Sequence, residues 1–134
     1  MKRLPLALLA AVLLAATITT TTTAWAQKRV RFPPGRTTVI LKGRTTGGPS
    51  ESGGMNPVSY LLRARKGQQM TLHLTSAKRN AVFGLYLPGM DLVQGAQNQT
   101  DWTGELTRTG DYEIIVFPQD EVTDTTYTLE VTIR

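Results

Sequence analysis

Tyr127-Thr128-Leu129-Glu130-Val131-Thr132-Ile133 alternates apolar and polar side chains without a break. Successive side chains of an extended strand point to opposite faces, so this run predicts a strand. Tyr127, Leu129, Val131 and Ile133 face a core; Thr128, Glu130, Thr132 and Arg134 face water. The same period recurs upstream. Tyr112, Ile114 and Val116 share one face, after a tight turn at Thr109-Gly110-Asp111. Met70, Leu72 and Leu74 alternate with Thr71, His73 and Thr75. Val58, Tyr60, Leu62 and Ala64 precede them across Arg65-Lys66-Gly67-Gln68, where Gly67 can supply a positive φ. These two runs are expected to form a hairpin.

Shorter runs fill the rest. Val30 and Phe32 alternate with arginines until Pro33-Pro34-Gly35 ends the run. Val39, Ile40 and Leu41 give Thr37 to Thr46 strong β character. Phe83, Leu85 and Leu87 form a strand stopped by Pro88-Gly89, and Trp102 to Leu106 reads as a short edge strand. Gly47 to Pro57, Leu92 to Thr100 and Pro118 to Thr126 read as loops. Seven or eight short strands with no helical periodicity predict an all-β domain, a two-sheet antiparallel β-sandwich.

Composition excludes several function classes. The 134 residues contain no cysteine and one histidine. That removes a disulfide scaffold, a thiol nucleophile and a cysteine-ligated zinc site. A histidine-based triad or a multi-histidine metal site is equally unsupported. The expectation is a non-enzyme with no cofactor and no metal.

The first residues carry an address. Met1-Lys2-Arg3 is a short positive segment, Leu4 to Ile18 is almost wholly apolar, and Ala24-Trp25-Ala26 precedes Gln27. This is the pattern of a cleaved signal peptide over 1–26, and the apolar run is shorter than the ~20 residues that cross a bilayer. The expected product is a single β-sandwich domain over 27–134, periplasmic or secreted, with no membrane contact after cleavage.

Charge is divided along the chain. Lys28 to Arg79 holds eleven lysines and arginines and one acid, Glu51; Asn80 to Arg134 holds two arginines and nine acids. Two readings follow: pairing between outward faces of neighbouring strands, or a molecule with a basic face. No aromatic-plus-basic module for nucleic acid is present.

Two motifs carry a resemblance. The segment Tyr60-Leu61-Leu62-Arg63-Ala64-Arg65-Lys66-Gly67-Gln68 leads into alternating Met70, Leu72 and Leu74. Thr109-Gly110-Asp111-Tyr112, then Ile114, Val116 and the closing Tyr127-led strand, follow. This order resembles the periplasmic inhibitors of goose-type lysozyme, which share the layout of the bacterial pre-peptidase C-terminal β-sandwich module. The similarity spans roughly Val58 to Ile133. It implies a protein that blocks a muramidase cleft with surface loops. The family motif Ser-Gly-x-Tyr matches Thr109-Gly110-Asp111-Tyr112, with Thr for Ser. The partner-binding residues it implies are Arg108, Thr109, Gly110, Tyr112, Gln119 and Asp120. The loop holding the last two, Pro118 to Asp124, is acidic where the family's loop is basic. The alternative is a stand-alone pre-peptidase C-terminal-like module that binds glycan or an envelope protein.

Each marked residue also has a plainer role. Tyr112 can pack in the core with its hydroxyl bonded to backbone. Gly110 can serve the turn, and His73 can be a solvated surface residue. Trp102 can pack at an edge or stack on a sugar. Asp120, Glu121 and Asp124 match no defined calcium loop. Ile115 and Phe117 oppose the inward face, so they are either covered or form an apolar patch.

Overall fold

The computed structural model describes residues 27–45, 57–119 and 124–134. The proposed signal peptide, Glu51 and most of the loop around it, and Asp120 with Glu121 lie outside these residues. Eight strands are described: β1 (Gln27–Arg29), β2 (Thr38–Thr45), β3 (Val58–Ala64), β4 (Gln69–Ser76), β5 (Ala81–Tyr86), β6 (Asp101–Glu105), β7 (Gly110–Pro118) and β8 (Thr125–Ile133). They form two four-stranded sheets, β1-β3-β7-β5 and β2-β8-β4-β6. The all-β sandwich expected from the alternation is therefore the observed fold.

Odd-numbered strands make one sheet and even-numbered strands the other. Every connection passes between sheets, and no two consecutive strands pair. The hairpin expected from β3 and β4 does not form. β3 pairs with β1 and β7, whereas β4 pairs with β6 and β8. The reason lies in the turn. The Gly67 N–H, at a residue with φ of 90°, donates to the Leu106 carbonyl, and Leu106 N–H donates to the Gln68 carbonyl. These bonds extend the β4–β6 ladder by one step, so the chain has joined the second sheet from Gly67 onward, instead of folding back on β3.

Strand direction follows from the same alternation. β1 runs up, β2 down and β3 up, so β1 and β3 meet in parallel, the one departure from antiparallel pairing. The long connection after β5 adds a further pass. Val93 and Ala96 bond to Leu85, and Gln99 exchanges two bonds with Phe83. This return alongside β5 reverses the later strands, which makes β7 antiparallel to both β3 and β5. It also covers the open hydrogen-bonding edge of β5, a place where sheets otherwise invite aggregation.

The core lies between the sheets. Leu62, Phe83, Leu85, Tyr112, Ile114 and Val116 of one sheet meet Met70, Leu72, Leu129 and Val131 of the other, each at most 1% exposed. The Tyr60 and Tyr127 hydroxyls bond each other at 2.6 Å across the layers, and burial raises both their pKa values. Val30, Phe32, Val39 and Leu41 close the side next to β1 and β2. The outward face of β7 is covered at Ile115, with Phe117 half-buried. Glu113 is buried there too, bonded to Ser59 Oγ and to Gln27 Nε2.

Candidate functional site

The residues singled out by sequence fall at two opposite ends. Arg108, Thr109, Gly110 and Tyr112 lie where β7 begins; Gln119 lies just past where it finishes. Eight residue steps along the strand separate these ends by about 26 Å. Gln119 N–H donates to the Asn80 carbonyl at 2.6 Å, on the turn between β4 and β5. The structure therefore brings four of the six candidates together and leaves Gln119 apart. Asp120 is outside the described residues.

At the Arg108 end, Tyr112 sets the geometry. Its ring is fully buried, and its hydroxyl donates to the Arg108 carbonyl at 2.7 Å while accepting from the Arg108 N–H at 3.1 Å. A tyrosine at the start of a strand that bonds backbone a few residues upstream braces a sandwich corner. The plainer reading of Tyr112 is thus the observed one. Gly110 has φ of 152°, and a Cβ there would stand 2.8 Å from Pro88 Cγ. Its lack of a side chain lets the β5–β6 connection pack against the corner. Thr109 Oγ1 accepts from Lys66 N–H at 2.9 Å, which ties in the β3–β4 turn. Accepting this bond leaves the Thr109 O–H as a donor. Arg108 is exposed, and its Nη1 sits 3.7 Å from Asp91 Oδ2 in a loose ion pair.

The β5–β6 connection completes this end. Gly89 and Met90 both have positive φ, 93° and 72°, unusual for methionine. Met90 N–H donates to the Leu87 carbonyl and Leu87 N–H to the Asp91 carbonyl, which closes the tip. The tip leaves Met90 58% and Leu92 39% exposed, an uncommon cost for large apolar side chains. Beside it is a cavity of about 370 Å³ lined by Leu87, Leu92, Val93, Trp102, Leu106 and Tyr112, with Gln94 and Glu105 among its polar walls. Trp102 is half-buried on the edge strand β6, its ring lying over Gly104.

Sequence reading missed Met90, Leu92 and this cavity. Pro88-Gly89 signalled only a strand end. The signal that could have marked the loop was its pair of large apolar residues, Met90 and Leu92, right after a Pro-Gly turn. His73 is exposed as expected but not alone; its Nδ1 bonds Asp101. That bond holds the Asp101 carboxyl below its ordinary range, with Thr100 adding to the effect. Among the described residues no group of three His, Asp or Glu side chains is placed to hold a metal ion.

A rigid two-layer sandwich that displays irregular loops at its ends defines the protein class: a loop-presenting β-sandwich. Among solved structures the chain is similar to PliG of Aeromonas hydrophila, a periplasmic lysozyme inhibitor of g-type lysozyme. The two share 26% identity over 81% of this chain and 96% of that one, with a TM-score of 0.65. PliG of Salmonella Typhimurium is also similar, at 21% identity, 81% and 97% coverage and a TM-score of 0.57. The pre-peptidase C-terminal domain of a Bacillus anthracis collagenase shares the fold at 14% identity, 83% and 97% coverage and a TM-score of 0.58. No protein-family model matches the sequence, and no curated protein does. Both halves of the resemblance drawn from the two motifs thus find solved counterparts, and the PliG counterparts are inhibitors rather than enzymes.

Proposed function

We propose that this chain is an exported, non-catalytic inhibitor of a lysozyme, goose-type by resemblance, and that it offers the Arg108 end to the enzyme's cleft. The observation that carries the reading is the likeness to Aeromonas PliG across 96% of that protein. The chemistry of the end agrees with it. A glycosidase cleft holds a pair of essential carboxyl groups, so its occupant must bring donors and positive charge. Arg36, Arg65, Lys66, Arg108 and Arg134 all come from segments at this end. β7 ends at Pro118, at the opposite end of the sandwich from Arg108. The bonds made by Tyr112, Thr109 and Leu106 hold the loops in advance, so little ordering entropy is lost on binding. Met90 and Leu92 add apolar area at the tip, and the looseness of the Arg108–Asp91 pair leaves Arg108 available to a carboxylate.

Purified chain 27–134 is expected to slow lysis of a bacterial substrate by goose-type lysozyme, with chicken-type and invertebrate-type enzymes as comparison. Arg108→Ala and Met90→Ala should each weaken inhibition while the melting temperature stays within a few degrees, since both side chains are exposed. Absence of inhibition at micromolar protein against all three enzymes would falsify the reading. Inhibition untouched by both substitutions would move the contact surface away from this end.

A further inference from the structure

The cavity of about 370 Å³ beside the β5–β6 tip is at the small end of ligand sites, which run about 300–1,000 Å³, and has room for one side-chain-sized group. Its apolar and polar parts are separated. Leu106 and Tyr112 are buried, and Leu87, Val93 and Trp102 are half-buried. The Tyr112 hydroxyl is taken up by the Arg108 backbone. Gln94, Glu105 and Thr107 also line the cavity, but all three are exposed and so belong to its rim. Asp91, Asp101, Asp111, Glu113 and Asp124 are each paired or hydrogen-bonded. Among the described acids Glu105 and Glu130 alone have no side-chain partner. The surroundings share the sign of Glu105. Asn80 to Thr107 holds three acids, Asp91, Asp101 and Glu105, and no lysine or arginine. The cations of residues 27–45 stand on the far side of the sandwich, on and between the outermost strands β1 and β2. Arg108 is turned to Asp91 and does not line the cavity.

We infer that this cavity is an anchor site for an apolar group carrying a cation at its outer end, presented by a docked protein as an apolar side chain beside an arginine or lysine. The site is argued from the cavity; that the docked protein is a lysozyme rests on the reading above. Every other class of occupant leaves something uncompensated. An anion would meet Glu105 and Asp91, both of its own sign. A purely apolar surface would cover the rim and take the Glu105 carboxylate out of water without a partner. A sugar ring would press its hydroxyls against leucine and valine, where nothing bonds them. An apolar group with a cation at the rim answers both parts. The apolar end fills the floor, and the cation meets Glu105 in a charge-assisted contact. The Trp102 indole in the wall attracts a cation brought to its face. Met90 and Leu92, exposed on the tip beside the cavity, are then covered by the body of the same partner.

Chain 27–134 contains a single tryptophan, Trp102, so its fluorescence reports on the cavity. Titration with n-pentylammonium should give a saturable change with half-saturation at about 1–10 mM, as befits so small a ligand. The same tail without the cation, as n-pentanol or pentanoate, should bind more weakly, and so should N-acetylglucosamine. Glu105→Gln should weaken n-pentylammonium binding about two- to fivefold and erase its advantage over n-pentanol. Glu130→Gln removes the same charge about 16 Å away, two strands across and four residues along, and should leave binding unchanged. Both side chains are exposed, so both variants should fold. No saturable response at tens of millimolar would overturn the proposal. So would n-pentanol binding as tightly as n-pentylammonium, tighter binding of pentanoate or the sugar, or equal loss in the two variants. A chain that passes this titration and inhibits no lysozyme keeps the site and loses the enzyme as its partner. One that inhibits and fails the titration loses the site alone.

Discussion

Tyr112 shows how one hydroxyl can fix a corner of the sandwich. Its two bonds to Arg108 hold the corner from which Arg108 projects. Tyr112→Phe removes both and leaves backbone groups to find water, at a cost of about 1–2 kcal/mol. A lower melting temperature with a parallel loss of inhibition is expected. Weakened inhibition with an unchanged melt would show instead that the hydroxyl meets the partner directly. Asp111 and Asp101 give a residue-scale pH effect. The Arg29 guanidinium holds the Asp111 carboxyl below its usual range, and His73 does so for Asp101. A carboxyl whose pKa falls on folding stabilises fully above its unfolded value near 3.9, and that contribution is lost as pH falls through the folded value. The melting-temperature gap between the natural chain and Asp111→Asn should be present at pH 7 and close below about pH 3. Both side chains are exposed, so the gap is small. A gap unchanged in acid would rule out the ionised carboxylate as its source.

Single strands were legible in sequence; their partners were not. The inward sets Tyr60, Leu62 and Ala64; Met70, Leu72 and Leu74; Tyr112, Ile114 and Val116; and Tyr127, Leu129, Val131 and Ile133 are all buried. Each is a local consequence of the two-residue period. Pairing is a long-range matter, and the period is the same whether a strand joins its neighbour or crosses to the other layer. Hence β3 and β4 read as a hairpin and proved to belong to different sheets. Leu72 and Leu129 test the strand phase, since each is at most 1% exposed. Leu72→Ala or Leu129→Ala should cost about 2–5 kcal/mol in thermal or denaturant unfolding. A melt indifferent to both would contradict the inward assignment. Because no consecutive strands pair, every ladder closes a long loop, which predicts slow folding for a chain of this size.

Across the whole molecule, the alternation of sheets places the loops and the charge. It puts Arg108 and Gln119, eleven residues apart in sequence, at opposite ends, and gathers cations from Arg36 to Arg134 at one of them. It also stacks the two N-terminal strands on one side, so a charge asymmetry along the chain becomes an asymmetry in space. By itself the sequence determined that the domain is built of strands, which face of β3, β4, β7 and β8 meets the core, where turns fall, and which chemistries its missing cysteines exclude. All of these depend on neighbours a few residues away. Tertiary structure alone decided which strands pair, the parallel meeting of β1 and β3, the exposed Met90 tip beside its cavity, and the side on which the cations collect. Those depend on contacts between residues distant in the chain, whose closure only the packed core makes favourable.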